Sequence, residues 1–203
     1  MTKPPALPEP PLPGLRVAEL DASSEAVLQR FFDANPAYFL STTGQAARPT
    51  DAFDELNDTL PDGWAFSAVT LVGYFNAEGE LAAMANVVSD LFAPGIWHIS
   101  TFIVETARHG QGDAQAIYDG LERWAATHGA TFMRLGVVLG NARAERFWEK
   151  QGYLQTRLRH GVELGGQVNT LRVMCKPLAG GTLAQFLQMV ERDRSEPQGT
   201  TGR

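Results

Sequence analysis

One segment, residues 102–124, constrains the fold of this chain more than any other. It reads FIVETARHGQGDAQAIYDGLERW, in which β-branched and aromatic residues precede two closely spaced glycines and a helical pattern. The composition of residues 96–104 predicts a strand. The spacing of Ile117, Leu121 and Trp124 predicts a helix. A strand that enters a glycine loop opening directly into a helix requires a domain in which strands and helices alternate.

The periodicity of the rest of the chain predicts one α/β (α+β) domain with a mixed sheet, over residues 14–180. Segments with strand character are 15–20, 65–75, 81–88, 96–104, 132–139, 154–160 and 170–176. Helical patterns follow Ser23 or Ser24 as the N-cap, begin near residue 51, and cover 113–127, 142–151 and 183–190. Asn35–Pro36 should end the first helix and lead into a loop over 37–49. The motif GVELGGQ, residues 161–167, is predicted to be the turn of the last hairpin.

Both ends of the chain differ in composition from the domain. Six of the 12 prolines lie within residues 4–13, and proline fixes φ and removes a backbone donor. Residues 1–13 are therefore predicted to be a mobile, proline-rich tail, with a docking peptide as the alternative. Residues 181–203 are predicted to form a helix, packed on the domain or on a second subunit, and then a disordered tail, SEPQGTTGR.

Composition and charge argue against several classes of function. The formal net charge of −6 argues against nucleic-acid binding, which needs clustered positive charge, and suits a cationic partner better. A single cysteine, Cys175, excludes an intrachain disulfide and a multi-cysteine zinc site. No apolar run is long enough to span a bilayer, and the first residues lack the apolar segment of a signal peptide. We therefore expect a cytoplasmic protein with no membrane partner.

The glycine loop of residues 109–115 is predicted to bind an anion. Gly110 and Gly112 have no side chains, so main-chain N–H groups can approach a ligand, and the following helix adds the positive end of its dipole. Phosphate or pyrophosphate suits this geometry. No Gly-Lys-Ser/Thr triplet is present, and Gln115 occupies the small-residue position of a dinucleotide fingerprint. The alternative is an ordinary tight turn between a strand and a helix.

Three segments together resemble the GCN5-related N-acetyltransferase (GNAT) superfamily. HGQGDA, at 109–114, resembles its acyl-CoA pyrophosphate loop, Arg/Gln-x-x-Gly-x-Gly/Ala. LGV at 135–137, with NxxAxxFWxxxGY at 141–153, resembles its fifth strand and the helix after it. Residues 97–104 resemble its fourth strand. Each segment alone is weakly specific, whereas the three in this order are strongly so.

The resemblance implies a mixed, mostly antiparallel sheet of six to seven strands with splayed central strands, flanked by about four helices. It implies acetyl-CoA as cosubstrate, an amine of a small molecule or peptide as acceptor, and no metal. A homodimer through the last hairpin or residues 182–192 is a further expectation. The residues expected at the cosubstrate are Phe102, Ile103, Val104, His109, Gly110, Gln111, Gly112, Asp113, Ala114, Gln115, Asn141 and Phe147.

A split between the fourth and fifth strands has a physical rationale. Main-chain N–H and C=O groups of a strand that has no neighbouring strand need other hydrogen-bond partners. The amides of a pantetheine arm can supply them by pairing with residues 102–104 as an added strand. Asn141 can contact that arm, cap the next helix, or do both. The resemblance implies direct attack of a neutral amine on the thioester in a ternary complex. A main-chain N–H of the fourth strand would stabilise the oxyanion.

The sequence departs from the family pattern at the leaving group and in the loop. Trp148 stands where the family often has a tyrosine that protonates the departing thiolate, and indole has no proton to give near neutral pH. Trp148 is predicted to line the acetyl and acceptor pocket or to be a core aromatic, while Tyr118 and Tyr153 fit packing positions. His109 replaces the usual Arg or Gln, and Asp113 would repel a pyrophosphate unless it points away.

His98 is the predicted general base, because it lies on the fourth strand and titrates in the useful range. The alternative is a half-buried structural histidine. Cys175 is predicted to pack rather than to act as a nucleophile. His128 and His160 receive no role, and the four histidines lack metal-ligand spacing.

The acceptor pocket is predicted to include Tyr38 and Phe39, together with the GVELGGQ turn. Acidic side chains nearby could attract a cationic amine or form the solvated face of a short helix; they are Asp51, Asp54, Glu55, Asp58 and Asp62. The main alternative to an enzyme is a module of the same fold that binds acyl-CoA without turnover. An interaction protein that uses the proline-rich N-terminus is a third hypothesis.

Overall fold

The computed structural model describes residues 6–178 and 180–195. Within them, the strands are β1 (Arg16–Glu19), β2 (Ala68–Phe75), β3 (Leu81–Ser89), β4 (Ile96–Val104), β5 (Phe132–Val138), β6 (Leu154–Leu164) and β7 (Gln167–Pro177). The helices are α1 (Glu25–Ala34), α2 (Pro36–Thr42), α3 (Asp51–Asn57), α4 (Asp113–Thr127), α5 (Ala142–Lys150) and α6 (Leu183–Met189). The α/β prediction is confirmed, with six described helices instead of about four. None of these helices is long and apolar enough to cross a membrane.

All seven strands form one sheet in the order β1-β2-β3-β4-β5-β7-β6. Every neighbouring pair is antiparallel except β4 and β5, which run parallel. Short turns join β2 to β3 and β6 to β7, whereas α4 connects β4 to β5, because parallel strands need a crossover. The parallel pair therefore lies within an otherwise antiparallel sheet, as the family resemblance implied.

The strands β4 and β5 pair along only part of their length. Their register joins Ile96–Ile99 to Phe132–Leu135, and the rest of β4 lies beside no described residue of β5. The separation begins at a β-bulge, because Ile99 and Thr101 pair with consecutive residues of β3 and leave Ser100 extra. A bulge bends its strand and increases the local twist. The expected splay of the central strands is therefore present.

Each face of the sheet is covered by different helices. On one face, α4 and α5 pack through an aromatic cluster that includes Trp97, Trp124 and Trp148. On the opposite face, α1, α2 and α3 cover the β1–β4 side of the sheet, with Phe32 at the centre of their cluster. The C-terminal helix α6 covers the β5–β7 side of that same face through Phe186. The strip of sheet above the split lies between these two groups of helices.

The chain after α1 differs from the predicted loop. Only Asn35 separates α1 from α2, and Pro36 is the first residue of α2. Proline is well tolerated there, because its missing N–H would have no intrahelical partner. Ser24 is the N-cap residue of α1, one of the two predicted, but its side chain accepts no N–H of that helix. Asp21 caps the 3₁₀ turn before it and accepts the Ser23 N–H at 2.9 Å.

The last hairpin is longer than predicted. Strands β6 and β7 extend to Leu164 and Gln167, so only Gly165 and Gly166 form the turn. A Cβ at Gly165 would lie 2.4 Å from the Cβ of Thr43, directly after α2. Glycine therefore lets the hairpin tip contact the segment after α2, and the side-chain amide of Gln45 donates to the Gly165 carbonyl at 2.7 Å.

Residues 6–13 lie against the domain rather than extending from it. The Trp124 indole donates a hydrogen bond to the Ala6 carbonyl, and Leu7 and Leu12 pack against the cluster that contains Ile117. The prolines keep the segment out of helix and strand, but its leucines supply apolar surface that the domain buries. Residues 1–5 of the predicted mobile tail lie outside the described residues.

The C-terminal helix packs on its own domain. Phe186 of α6 is fully buried and its ring lies 5.7 Å from that of Phe132. In the 3₁₀ turn that follows, the buried Asp193 binds Arg134 of β5 through two hydrogen bonds of 2.5 and 2.9 Å. Of the two predicted locations for this helix, the structure shows the one on the domain. The predicted disordered tail lies outside the described residues, apart from Ser195.

Candidate active site

A cleft of about 800 Å³ opens above the split between β4 and β5. Helices α2 and α3 contribute one wall, and β5 with the β6–β7 hairpin contributes the other. Seven residues that the sequence placed at the cosubstrate, the acceptor or the catalytic base line it: Tyr38, Phe39, His98, Phe102, Ile103, Asn141 and Trp148. The split therefore leads into an open cleft on the face that carries α2 and α3.

The glycine loop follows the open end of β4 and begins α4. Gly110 and Gly112 have φ values of +80° and +91°, a backbone conformation that favours glycine. A Cβ at either position would meet nothing within 4 Å, so the outer side of the loop is open. Among the described residues, none accepts a hydrogen bond from the main-chain N–H groups of residues 110–115. Consecutive free donors at a helix start match the predicted anion site.

The side chains of the loop bind protein groups instead of facing its open side. Arg108 contacts Asp113 at 2.9 Å and Glu105 at 3.3 Å, so the Asp113 charge is neutralised beside the helix start. The His109 ring turns back, and its Nε2 donates to the Val104 carbonyl at 2.7 Å. Burial lowers the pKa of His109. The neutral ring therefore adds no positive charge to the loop.

Two glutamines of the loop have separate structural roles. The Gln111 side chain donates to the Ala107 carbonyl at 2.8 Å. The side-chain amides of Gln115 and Gln151 exchange two hydrogen bonds, of 2.7 and 2.6 Å, and so link α4 to α5. Only the main chain of this loop is available to an anion.

Asn35 attaches the start of the loop to α1. Its Oδ1 accepts the Thr106 N–H at 2.8 Å and the Thr106 hydroxyl at 2.9 Å, while its Nδ2 donates to the Phe31 carbonyl at 2.7 Å. Sequence analysis treated Asn35 only as a helix stop. No local pattern reveals its contact with a residue 71 positions away.

Replacing Asn35 by leucine should weaken both the fold and the loop. The Thr106 N–H would lose its acceptor, which costs about 1–3 kcal/mol when the group is buried. We expect a lower midpoint of urea unfolding and several-fold weaker CoA binding, measured by calorimetry. Asn35→Asp keeps the acceptor oxygen and should retain CoA affinity; equal losses in both variants would contradict this role.

His98 of β4 lies beside Arg134 of β5. Its Nδ1 is 3.1 Å from the Arg134 carbonyl oxygen and 3.2 Å from the Arg134 Nη1. Burial, reinforced by the Arg134 charge, lowers the pKa of His98 well below its usual range. The ring is therefore neutral at neutral pH. In the tautomer whose Nδ1 donates to the Arg134 carbonyl, the Nε2 lone pair is available, whereas in the tautomer whose Nδ1 accepts from Arg134 Nη1, Nε2 carries the proton.

Glu55 is one of the acidic residues that sequence analysis assigned either to a cationic amine or to a solvated helix face, and the structure places it in the cleft. Its carboxylate lines the cleft, where it accepts hydrogen bonds from Asn86 Nδ2 at 2.8 Å and from the Thr101 hydroxyl at 3.3 Å. Burial raises the pKa of Glu55. The sequence does contain a signal for this position: Glu55 is three residues after Ala52 and directly before Leu56, which both pack in the core.

The other acidic residues mostly fit the predicted solvated face. Asp54, Asp58 and Asp62 are exposed, and Arg48 pairs with both Asp51 and Asp54. The neighbouring Tyr38 lines the cleft, and burial together with the Glu55 charge raises its pKa. Asp51, Asp54 and Asp58 also line the cleft, and Glu55 differs from them in that burial raises its pKa and its hydrogen-bond partners are neutral.

Trp148 belongs to the core and also reaches the cleft. It is 7% exposed, and the rings of Phe102, Tyr118 and Tyr153 lie 5.3–5.6 Å from it. Tyr118 and Tyr153 are buried as predicted, and burial raises the pKa of both phenols. Phe147 stacks on Phe102 with ring centroids 6.0 Å apart and is not part of the cleft lining.

The structure bears on two further sequence interpretations. Asn141 caps α5, because its Oδ1 accepts the Ala144 N–H at 3.2 Å, and its Nδ2 donates to the Ser41 hydroxyl at 3.1 Å. Cys175 is fully buried, which raises the pKa of its thiol to about 12, so it packs as predicted. In the part of the chain that the structure describes, no group of three or more His, Cys, Asp or Glu side chains is placed to hold a metal ion.

Comparison with solved structures shows that this fold is shared by acetyltransferases. An acetyltransferase from Thermus thermophilus has 20% identity and a TM-score of 0.63, over 81% of this chain and 97% of that one. A spermidine N-acetyltransferase from Vibrio cholerae, in complex with CoA and spermine, has 12% identity and a TM-score of 0.60, over 81% and 95%. A Salmonella typhimurium acetyl transferase that modifies the N-terminal serine of ribosomal protein L7/L12 has 13% identity and a TM-score of 0.65, over 84% and 98%.

Sequence comparison identifies the family. Curated protein sequences contain no match to this chain. A family model described as the acetyltransferase (GNAT) family matches residues 28–153, which include β4, the glycine loop and α5. The chain therefore belongs to the acetyltransferase (GNAT) family.

Proposed function

We propose that the protein transfers the acetyl group of acetyl-CoA directly to a primary amine of a small molecule or peptide, in a ternary complex. The observation that carries this proposal is the split between β4 and β5, which leads from the cleft to the free N–H groups of residues 110–115. The solved relatives named above include an enzyme for spermidine and one for a protein N-terminus. Both kinds of acceptor are amines.

The expected cosubstrate residues divide into three groups along this path. The main chain of residues 110–115 would bind the pyrophosphate, with His109 positioning the loop through Val104. The edge of β4 at Phe102, Ile103 and Val104, which has no strand partner in β5, would pair with the pantetheine amides. Asn141 and Phe147 belong to α5, on the other side of the split, where they would contact the same arm.

The chemistry needs an acyl donor, a free amine lone pair and a place for negative charge. Acetyl-CoA supplies a thioester. A main-chain N–H near the Ser100 bulge would donate to the carbonyl oxygen as the amine attacks and the C–S bond breaks. The ammonium proton would pass to His98 Nε2, directly or through water. The thiolate leaves without an acid, because Trp148 has no proton to give, and takes a proton from solvent.

A thiol-release assay tests the function. Polyamines, amino acids, aminoglycosides and peptide N-termini would each be offered with acetyl-CoA, and CoA binding measured separately by calorimetry. We expect CoA release that depends on one class of amine. Tight CoA binding with no release from any amine would instead support a non-catalytic acyl-CoA module, the candidate that the tryptophan at position 148 favours.

His98→Ala should lower kcat/KM by roughly a hundredfold, a typical effect of removing a general base. Because burial and Arg134 lower the pKa of His98, the loss of rate from its protonation should begin only below pH 6.5. The variant should therefore lack an acid limb in that range, measured against an acceptor of fixed ionisation. An unchanged rate and profile would remove His98 as the base.

A further inference from the structure

Two charged side chains face the cleft from opposite sides of the split. The Glu55 carboxylate of α3 accepts a hydrogen bond from the Thr101 hydroxyl of β4, and Arg159 is on β6. In the strand order, β4 lies on one side of the split, whereas β5, β7 and β6 lie on the other. Both side chains line the same cleft of about 800 Å³. A ligand that fills this cleft would meet a carboxylate on one wall and a guanidinium on the other.

Neither of these two side chains has a charged partner in the described part of the protein. The partners of Glu55 are the neutral Asn86 and Thr101. No carboxylate within residues 6–178 and 180–195 binds Arg159, which is half-buried. The other cleft arginines are paired, Arg48 with Asp51 and Asp54, and Arg134 with Asp193. Among the described charged residues of the cleft, Glu55, Arg159 and Asp58 have no oppositely charged partner, and Asp58 is exposed, so Glu55 and Arg159 are the partly buried pair of opposite charges that remains uncompensated.

Each of the two side chains has neighbouring charges of its own sign. Near Arg159, the positive charges of Arg134 and Arg159 add to burial in lowering the pKa of Arg192. Near Glu55, the negative charges of Asp58 and Asp51 add to burial in raising its pKa. The two walls therefore have electrostatic potentials of opposite sign. A bound ammonium would stabilise the ionised carboxylate of the acidic wall, and a bound anion would offset the repulsion between the positive charges of the basic wall.

We propose that the acceptor carries a carboxylate as well as its amine, and that Arg159 binds this carboxylate while Glu55 faces the amino group. The inference rests on the proposed function, because it concerns the acceptor of that reaction. The planar guanidinium of Arg159 suits a carboxylate, which it can bind through two parallel hydrogen bonds. A partly buried charge without a partner is costly, so a complementary ligand gains from pairing both ends.

The test compares ω-amino acids, from glycine to 6-aminohexanoate, each with its own primary amide. The two members of each pair carry a primary amine on the same carbon chain and differ in the carboxylate, and kcat/KM is compared per unprotonated amine because the amide lowers the pKa of the amine. For the chain length that spans the two walls, we expect the acid to exceed its amide in kcat/KM by about tenfold or more, as for a charge-assisted contact. Other lengths should show a smaller preference.

Variants identify which side chains cause the preference for the acid over its amide. Arg159→Met should reduce the acid-to-amide ratio to about one while CoA affinity, measured by calorimetry, reports an intact fold. Arg157→Met is the matched control on the same strand, since Arg157 instead donates to the Arg192 carbonyl, and it should keep the ratio. Glu55→Gln should lower kcat/KM for acid and amide alike, because both carry the amine.

Two results would overturn the inference: no acid that exceeds its amide, or a preference that survives in Arg159→Met. If no amine is acetylated, the proposed function fails, and binding of the same pairs to the CoA-bound protein decides the inference separately. Carboxylate-dependent binding that Arg159→Met abolishes would support it. Equal binding of acids and amides would contradict it.

Discussion

Gly112→Glu should raise the Kd for CoA by more than about a hundredfold. The new carboxylate would stand at the start of α4, where residues 110–115 present free N–H donors to an anion. It would compete for those donors and repel the pyrophosphate. A hydrogen bond to a charged group contributes about 1.5–3 kcal/mol. The loss of two such bonds therefore weakens binding by more than about a hundredfold. Calorimetric titration with CoA measures the loss.

The control must separate this effect from backbone strain. Gly112 has φ of +91° and a non-glycine residue there is strained. Gly79, in the turn between β2 and β3, has φ of +84° and the same open space around its Cβ. Gly79→Glu should therefore cost similar stability and leave CoA binding unchanged. Retained affinity in Gly112→Glu would mean that the loop is not the pyrophosphate site.

Asp193→Ala should destabilise the protein by about 3–5 kcal/mol, the usual result of leaving a buried charge without its partner. The Asp193 side chain is 1% exposed and that of Arg134 is 6% exposed, so water cannot replace the lost carboxylate. The same pair joins the C-terminal turn to β5, next to His98. Urea unfolding measures the loss.

Two comparison variants show whether the stability lost in Asp193→Ala comes from the broken ion pair or from the loss of side-chain packing. Arg134→Met combined with Asp193→Leu removes both charges and should recover most of the stability, because buried ion pairs are often replaceable by apolar side chains. Glu191→Ala breaks an exposed pair with Arg194 and should cost less than about 1 kcal/mol. A double variant as unstable as Asp193→Ala would contradict the explanation.

The parts of the site that lie within one continuous segment were predictable. Strand β4 and helix α4 have the predicted bounds, Ile96–Val104 and Asp113–Thr127. The two glycines between them have the positive φ that their role requires. Local propensity, periodicity and turn chemistry all agree in this segment, and such agreement makes a prediction reliable. The end of α1 before Asn35 also agrees with the prediction.

The parts of the site that join distant segments were not predictable in the same way. Pro36 is compatible both with the end of one helix and with the start of another, and local sequence did not choose between them. The loop anchor joins Asn35 to Thr106, and the hairpin tip meets the segment after α2 at Gly165. These contacts depend on which elements become neighbours.

The sequence by itself determined the class of the fold, the glycine loop at the start of α4 and the family, because each is encoded in residues close together in the chain. Only the tertiary structure decided that Ser100 is a bulge, that the Glu55 carboxylate turns into the cleft, and that Arg159 faces it across the split. Register, burial and charge compensation are properties of residues brought together from different elements. They exist only once the sheet and its helices have packed.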